Sequence, residues 1–246
     1  MSRIRVHGST VDLEEPALVE GFPGVGLVGK IATDHLIDQL EMDYHASVHC
    51  EGLPRIGIYR KDRSTIQPPV RIYVSEVHDL FALQSDVPIS SQAVKTVADC
   101  LTSWVVDHEA TPLYLSGLPT DWDDQPDVFG VSTGDGGVHL EKHGIDAPSE
   151  DGVVSGPTGA LLNRAAELHV DAVGLVVECS PQFPDPKAAS VLLEETLAPI
   201  VDIDVDVDEL IDRAAEIREQ REAFARRMRE MGEAESTQAQ PLRMYQ

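Results

Sequence analysis

Apolar residues in this 246-residue chain follow two alternating patterns, short continuous runs and longer segments with helical spacing. Short runs that end in glycine, or that are rich in β-branched and aromatic side chains, are typical of buried strands. They predict strands at 17–22, 45–51, 55–60, 70–77, 112–117 and 171–179. Segments with apolar residues at intervals of three and four predict helices at 27–42, 90–108, 156–169, 184–200 and 206–235.

Two segments depart from this alternation. Residues 118–152 are rich in proline, glycine and aspartate, and they predict loops with short hairpin strands at 127–132 and 137–142. Residues 202–209 alternate acidic and apolar side chains without the glycine and glutamate that an EF-hand loop requires. We interpret them as a short strand with one apolar side, formed by Ile203, Val205 and Val207.

The succession of strands and helices predicts one α/β domain at residues 1–204, with a mixed, largely parallel sheet and helices on both faces. A long C-terminal helix is expected at 205–232, and a flexible tail at 233–246 that ends in Met-Tyr-Gln. The helix has an apolar stripe along one face, which suits packing either on its own domain or on a neighbouring subunit. Both alternatives remain open from the sequence.

The charge balance limits the classes of partner. The formal net charge is -24, from 43 acidic and 19 basic residues, so phosphate-rich nucleic acids and anionic lipids are repelled. The acidic residues are spread along the chain and lysine is rare, a composition that resembles proteins of salt-in halophilic archaea. No apolar run approaches the roughly 20 residues of a membrane span. The N-terminus lacks the apolar stretch of a signal peptide, so we expect a cytoplasmic protein without nucleic-acid or membrane partners.

Cysteine use fits the same expectation. Cys50, Cys100 and Cys179 are odd in number and far apart in sequence, and no CxxC motif occurs. This pattern predicts buried, reduced thiols.

Two glycine-rich segments are candidate ligand turns. Residues 21–30 contain GxGxxG between a predicted strand and a predicted helix, the context in which such a turn holds a pyrophosphate. Residues 155–165 form a second glycine-rich helix start, where Thr158 could cap the helix. The alternative for the first segment is a tight strand-to-helix turn whose glycines allow close packing, and for the second it is a capped helix start, which we favour. The candidate ligand residues are Gly21, Phe22, Pro23, Gly24, Gly26, Gly29, Gly156, Thr158 and Gly159.

Signals for catalysis or metal binding are weak. The histidine pairs His45/His49 and His139/His143 lack a third ligand nearby, whereas zinc requires three or four. No GxSxG nucleophile motif occurs. Four carboxylates lie near predicted strand ends, but in so acidic a chain they are weak evidence for an active site. They are Glu20, Glu76, Glu178 and Asp185. We therefore predict a non-enzymatic protein with no catalytic residues, no metal and no cofactor.

The last three residues are more specific. Met244, Tyr245 and Gln246 match the HbYX pattern, which is a hydrophobic residue, a tyrosine and any residue at a carboxyl terminus. A tyrosine ring buries a large apolar area and offers a hydroxyl group, and a terminal carboxylate pairs with a lysine or with backbone amides. The preceding twelve residues would give a tether with a reach of about 20 Å.

Three segments of the body resemble the archaeal proteasome assembly chaperone family, whose domain is shared with the second eukaryotic proteasome assembly chaperone. They are 20–29, 156–162 and 174–194. The resemblance implies an α/β fold similar to nucleoside phosphorylases and no established catalytic residues. It also implies homo-oligomers and, for members with an HbYX tail, binding to the α-subunits of the proteasome core. A rival hypothesis is an enzyme or sensor that holds a nucleotide or phosphate at 21–29.

Overall fold

Eight strands form one sheet in the computed structural model, which describes residues 3–7, 11–61, 64–120, 122 and 125–215. In spatial order they are β1, β3, β4, β5, β2, β6, β8 and β7. Their bounds are β1 Arg3–Val6, β2 Ala17–Gly21, β3 Asp43–His49, β4 Val70–Ser75, β5 Leu80–Ser85, β6 Thr111–Pro119, β7 Val128–Thr133 and β8 Ala172–Cys179.

The sheet is mixed, as predicted, with its parallel strands in the centre. Strands β5, β2, β6 and β8 pair in parallel, whereas β1, β3 and β4 at one edge and β7 at the other pair antiparallel. The antiparallel share is larger than expected, because β4 and β5 are joined by only the four residues 76–79. So short a connection permits only antiparallel pairing, and strand β5 was not predicted from the sequence.

Helices cover both faces of the sheet, which confirms that prediction. Their bounds are α1 Val28–Gln39, α2 Val94–Asp107, α3 Gly137–Lys142, α4 Gly156–Leu168, α5 Pro186–Val191 and α6 Ala198–Val201, and a π-helical turn at Leu192–Leu197 joins the last two. Helices α2 and α4 pack on one face, and α1 and α5 on the other. Neighbouring residues of β2 illustrate the division, because Leu18 belongs to the first core and Val19 to the second.

Three predicted strands were wrong. Of residues 55–60, only Ile58 makes a bridge, to Gln67, so this segment gains no neighbouring strand. Residues 137–142 form helix α3. Its Leu140 side chain is buried and packs on β7 beside Gly130. Asp202 is a left-handed turn residue, residues 203–207 have no regular structure and pair with no strand, and their apolar side chains pack against the core of the α1 face.

The predicted C-terminal helix begins at residue 208 and is described as far as 215. Its Leu210 is fully buried, so the first turn packs on its own domain. His35 of α1 also bonds the carbonyl oxygen of Asp206 just before it, at 2.7 Å. The remainder of the helix and the tail at 233–246 lie outside the described residues.

The prediction of three reduced cysteines was wrong for two of them. Cys50 and Cys100 form a disulfide across a sequence separation of 50 residues, and Cys179 is the free, buried thiol. The folded chain brings the end of β3 against α2, a proximity that sequence spacing does not reveal. Across the described part of the chain, every helix is too short or too polar to cross a membrane.

Candidate functional site

The first glycine-rich segment lies at the carboxyl end of β2, in the centre of the sheet. Strand β2 ends at Gly21, and Phe22 enters the core of the α2 face. Pro23 is half-buried and Gly24 is exposed. A single 3-10 turn at Val25–Leu27 then leads into α1. The predicted strand–turn–helix context is therefore present.

Three of its glycines are in close contact with the sheet and α1. A Cβ atom added at Gly26 would lie 2.8 Å from Sγ of Cys179, and one at Gly21 would lie 2.5 Å from Cβ of Thr33. A Cβ atom at Gly29 would approach the backbone of Leu115 to 3.3 Å. These contacts support the close-packing interpretation for Gly21, Gly26 and Gly29. At Gly24 an added Cβ atom would meet nothing within 4 Å.

This difference predicts opposite outcomes for two alanine substitutions. Gly26 has a φ of +61° and contacts Cys179, so Gly26→Ala should lower the free energy of unfolding by about 1–3 kcal/mol. Gly24 has ordinary extended dihedrals and open space, so Gly24→Ala is the matched control and should change it by less than about 0.5 kcal/mol. Urea unfolding measures both. Equal losses would contradict the packing difference.

The second glycine-rich segment forms the start of α4 and meets the first one. Gly156 is exposed, with a φ of +68° and open space around it, whereas a Cβ atom at Gly159 would overlap the carbonyl oxygen of Val154. Thr158 does not cap its own helix as the sequence suggested. Its hydroxyl donates instead to Oε2 of Glu20 on β2, at 3.0 Å.

Glu20 is the polar centre of this junction. It is fully buried, and its Oε1 accepts a hydrogen bond from the backbone N–H of Phe22 at 2.6 Å. Burial raises the pKa of Glu20 to about 7, although the hydrogen bonds from Phe22, Thr158 and Leu115 act to lower it. The same buried surroundings, together with the charge of Glu20, raise the pKa of Tyr114 on the adjacent strand β6.

A second polar cluster lies at the same edge of the sheet, beside Gly21. Arg71 of β4 is fully buried and donates to Oδ2 of Asp86 at 2.6 Å and to Oε1 of Gln84. Gln84 in turn donates to Asp34 of α1 at 2.8 Å, and Lys30 also contacts Asp34 at 2.8 Å. The cluster thus joins the first turns of α1 to the end of β5.

The electrostatics of this cluster are balanced within the protein. Burial alone would raise the pKa of Asp86, but hydrogen bonds and charges from Arg71, Arg60 and Lys30 outweigh it and lower the pKa below its usual range. Arg71, Gln84 and Asp86 were not among the residues predicted from the sequence. The one signal that could have found Arg71 is its position inside an otherwise apolar strand, where a charge must have a partner.

The other singled-out carboxylates have structural contacts. Asp185 caps α5 by accepting from the N–H of Ala188 at 3.1 Å, and it accepts from the N–H of Ser180 at 2.8 Å. Glu178 accepts from the N–H of Asp127, and Glu76 is exposed in the turn after β4. In the described ranges, no three histidine, cysteine or acidic side chains are grouped so that they could hold a metal ion. The contacts of Glu20 and Asp185 hold two turns and a helix together at one edge of the sheet.

The third candidate site, Met244–Gln246, lies outside the described residues.

Comparison with known proteins identifies the family of this chain. Residues 18–225 match the family model described as the PAC2 family. The chain belongs to the PAC2 family. This match, with the similar structures below, confirms the resemblance to proteasome assembly chaperones that residues 20–29, 156–162 and 174–194 indicated.

Similar proteins match this PAC2 chain over nearly its whole length. An uncharacterized protein of Methanocaldococcus jannaschii is 27% identical over 230 residues, which cover 93% of this chain and 90% of the relative. The crystal structure of Pyrococcus furiosus PbaA, an archaeal homolog of proteasome-assembly chaperone, is 26% identical with a TM-score of 0.78, covering 96% of this chain and 97% of PbaA. Pyrococcus furiosus PbaB, an archaeal proteasome activator, has a TM-score of 0.77 at 23% identity, covering 91% of this chain and 98% of PbaB, and shows the shared fold.

Proposed function

We propose that this PAC2 protein is a cytoplasmic proteasome assembly chaperone or proteasome core-particle binding protein that acts without catalysis. The supporting observation is the end-to-end similarity to PbaA, in sequence as well as fold. In addition, both polar clusters at the carboxyl edge of the sheet are paired internally: Glu20 accepts from Phe22 and Thr158, and Arg71 pairs with Asp86. Such an edge suits a rigid body that presents a binding segment.

The binding segment in this proposal is the terminal Met244-Tyr245-Gln246. The ring of Tyr245 would enter a pocket of the proteasome α-ring, and the carboxylate of Gln246 would pair with a lysine or backbone amides there. The proposal includes Gln246 as the carboxyl terminus of the mature chain, which the intact mass of protein purified from its native cells tests. The segment at 233–243 would link the body of the protein to this terminal trio.

Self-association is the second part of the proposal. A single short tail binds weakly, because docking orders a flexible segment. Several tails on one homo-oligomer raise the effective concentration at the α-ring and multiply the affinity without new contacts. Sedimentation of the full-length protein tests this part separately, and a monomer at micromolar concentration would contradict it.

Co-purification with proteasome α-subunits tests the tail. Tyr245→Ala should abolish capture, because the ring supplies most of the apolar area that the tail can bury. Deleting Tyr245 and Gln246 should have the same effect. High-salt buffer is appropriate, since the acidic composition predicts that the native medium screens charge.

The matched control is Tyr59→Ala. Tyr59 is 80% exposed in the body, so its loss removes an exposed tyrosine while leaving the tail intact. Capture should be unchanged for this variant, and the thermal unfolding of all variants should match that of the parent. Undiminished capture by Tyr245→Ala would refute tail docking. If Tyr59→Ala loses capture and Tyr245→Ala keeps it, the binding site lies on the body and not on the tail.

Nucleotide or phosphate binding is the second candidate, supported by the exposed Gly24 and Gly156 with open space around them. A nucleotide held there should raise the melting temperature at millimolar concentration. Gly24→Val, which fills that space, should remove the shift. No shift with any nucleotide would reject this candidate and leave the proteasome proposal untouched.

A further inference from the structure

The disulfide joins two elements that are distant in sequence. Cys50 follows β3 directly, and Cys100 lies in the middle of α2, with 6.1 Å between their Cα atoms. Residues 51–69 connect β3 to β4, and we call this connection the β3–β4 arm. Its outer part carries three exposed apolar side chains, which are Ile56, Tyr59 and Ile66.

The disulfide lies at the base of this arm, where the chain passes close to α2. Gly52 has a φ of +91°, and its Cα lies so close to α2 that an added Cβ atom would be 2.7 Å from Cβ of Ala93. Leu53 packs on the core of the α2 face. Farther out, Ile58 bridges Gln67, and Arg60 pairs with Asp86 at 2.6 Å. The disulfide is therefore the covalent link between the base of the arm and α2.

We propose that the Cys50–Cys100 disulfide is a redox-sensitive clamp that fixes the base of the β3–β4 arm on helix α2 and is opened by a dithiol reductant. This inference is independent of the proposed function, because it concerns the body of the protein and does not involve the tail. It assigns a reversible modification site on a surface element. Opening the clamp frees the arm and the middle of α2 from each other.

The two cysteines differ in exposure. Cys50 is 4% exposed, whereas Cys100 is half-buried and lines a groove of about 410 Å³ between β1 and α2. Arg3 and Ile4 line one side of the groove, and Ser103 belongs to the α2 side. A reductant thus reaches the sulfur of Cys100 first.

The reaction is a thiol–disulfide exchange. A thiolate of the dithiol attacks Sγ of Cys100, the Cys50–Cys100 bond breaks, and its electron pair goes to Sγ of Cys50, which then takes up a proton. The second thiol of the reductant, as a thiolate, then attacks the reductant's first sulfur, which is bonded to Cys100 in the mixed disulfide. Cys100 leaves as a thiolate and is protonated in turn. The disulfide is reduced to two thiols, and the dithiol is oxidised to a cyclic disulfide.

Cys179 takes no part in this exchange. It belongs to the core of the opposite face, beside Gly26, and is completely buried. Burial, with a contribution from Asp185, raises the pKa of the Cys179 thiol to about 12, which keeps it protonated and unreactive. The protein therefore offers a matched control cysteine.

Alkylation and thermal unfolding of the full-length protein test the clamp. In denaturant without reductant, only Cys179 should be alkylated, and all three cysteines after treatment with dithiothreitol. Reduction should lower the melting temperature by about 10 °C, as expected for opening a loop of this length in a protein of this size. Hydrogen exchange should become faster in residues 51–69 and in the adjacent part of α2.

Variants separate the clamp from general thiol effects. Cys50→Ser/Cys100→Ser should reproduce the reduced melting temperature and exchange rates and should not respond to dithiothreitol. Cys179→Ser should respond as the parent protein does. Three alkylatable cysteines in air-oxidised protein would overturn the proposal. So would identical melting and exchange before and after reduction, a comparison that needs no variant to fold.

Discussion

Replacing Arg71 with alanine is expected to lower the free energy of unfolding by about 3–5 kcal/mol, as for other buried ion pairs that lose one partner. The Arg71 side chain has no exposed surface. It donates to Asp86 at 2.6 Å, to Gln84, to the carbonyl oxygen of Pro68 at 2.5 Å and to the hydroxyl of Tyr73 at 3.1 Å. Alanine removes all of these donors at once. It also leaves a cavity where the arginine side chain was and leaves the acceptors without their partner.

The control for Arg71→Ala is Arg164→Ala. Arg164 pairs with Asp99 and Glu167 on the surface of α4, where solvent screens the charges. Its loss should lower the free energy of unfolding far less than the loss of Arg71 does. Urea unfolding, followed by tryptophan fluorescence at one salt concentration, compares the two. Similar losses for both variants would show that the buried cluster is no more stabilising than a surface pair.

Replacing Glu20 with glutamine should make the protein more stable than the parent at pH 8. The folded-state pKa of Glu20 is about 7, against 4.5 for the exposed side chain, so the folded protein holds a proton that the unfolded chain releases. Stability from this group is complete below pH 4.5 and is lost as the pH rises towards 7. The loss amounts to roughly 3 kcal/mol for a shift of this size. Glutamine stays neutral and avoids it.

The geometry permits this substitution. A glutamine side chain has nearly the shape of glutamate, and its oxygen can still accept from the N–H of Phe22. The Thr158 hydroxyl, 3.4 Å from the carbonyl oxygen of Leu115, can donate there and accept from the new amide.

The measured quantity is the difference in unfolding free energy between Glu20→Gln and the parent as a function of pH. This difference isolates Glu20, because the contributions of other titrating groups cancel. It should be small near pH 4.5 and should grow until about pH 7, as Glu20 ionises in the parent. Glu76→Gln removes an exposed carboxylate and is the matched control. A difference for Glu20→Gln that does not change with pH would contradict a buried, partly protonated Glu20.

Local patterns predicted most of the regular structure. Strand β2, helices α1, α2 and α4, and strands β6 and β8 lie where apolar runs and helical periodicity placed them. The glycine-rich segments also indicated the family, which the match over residues 18–225 confirms. Segment 137–142 was misassigned, because its two apolar residues, Val138 and Leu140, fit a strand as well as a helix. The burial of Leu140 against Gly130, a contact of the folded chain, distinguishes the helix from the strand.

The sequence by itself determined the alternation of strands and helices, the glycine turns between them and the family, because these depend on neighbours a few residues apart. The tertiary structure alone decided the meeting of Glu20 with Thr158, of Arg71 with Asp86, and of Cys50 with Cys100. The first and last of these pairs are separated by 138 and 50 residues. Periodicity records which side of an element faces the core, but the strand order determines which side chains meet there.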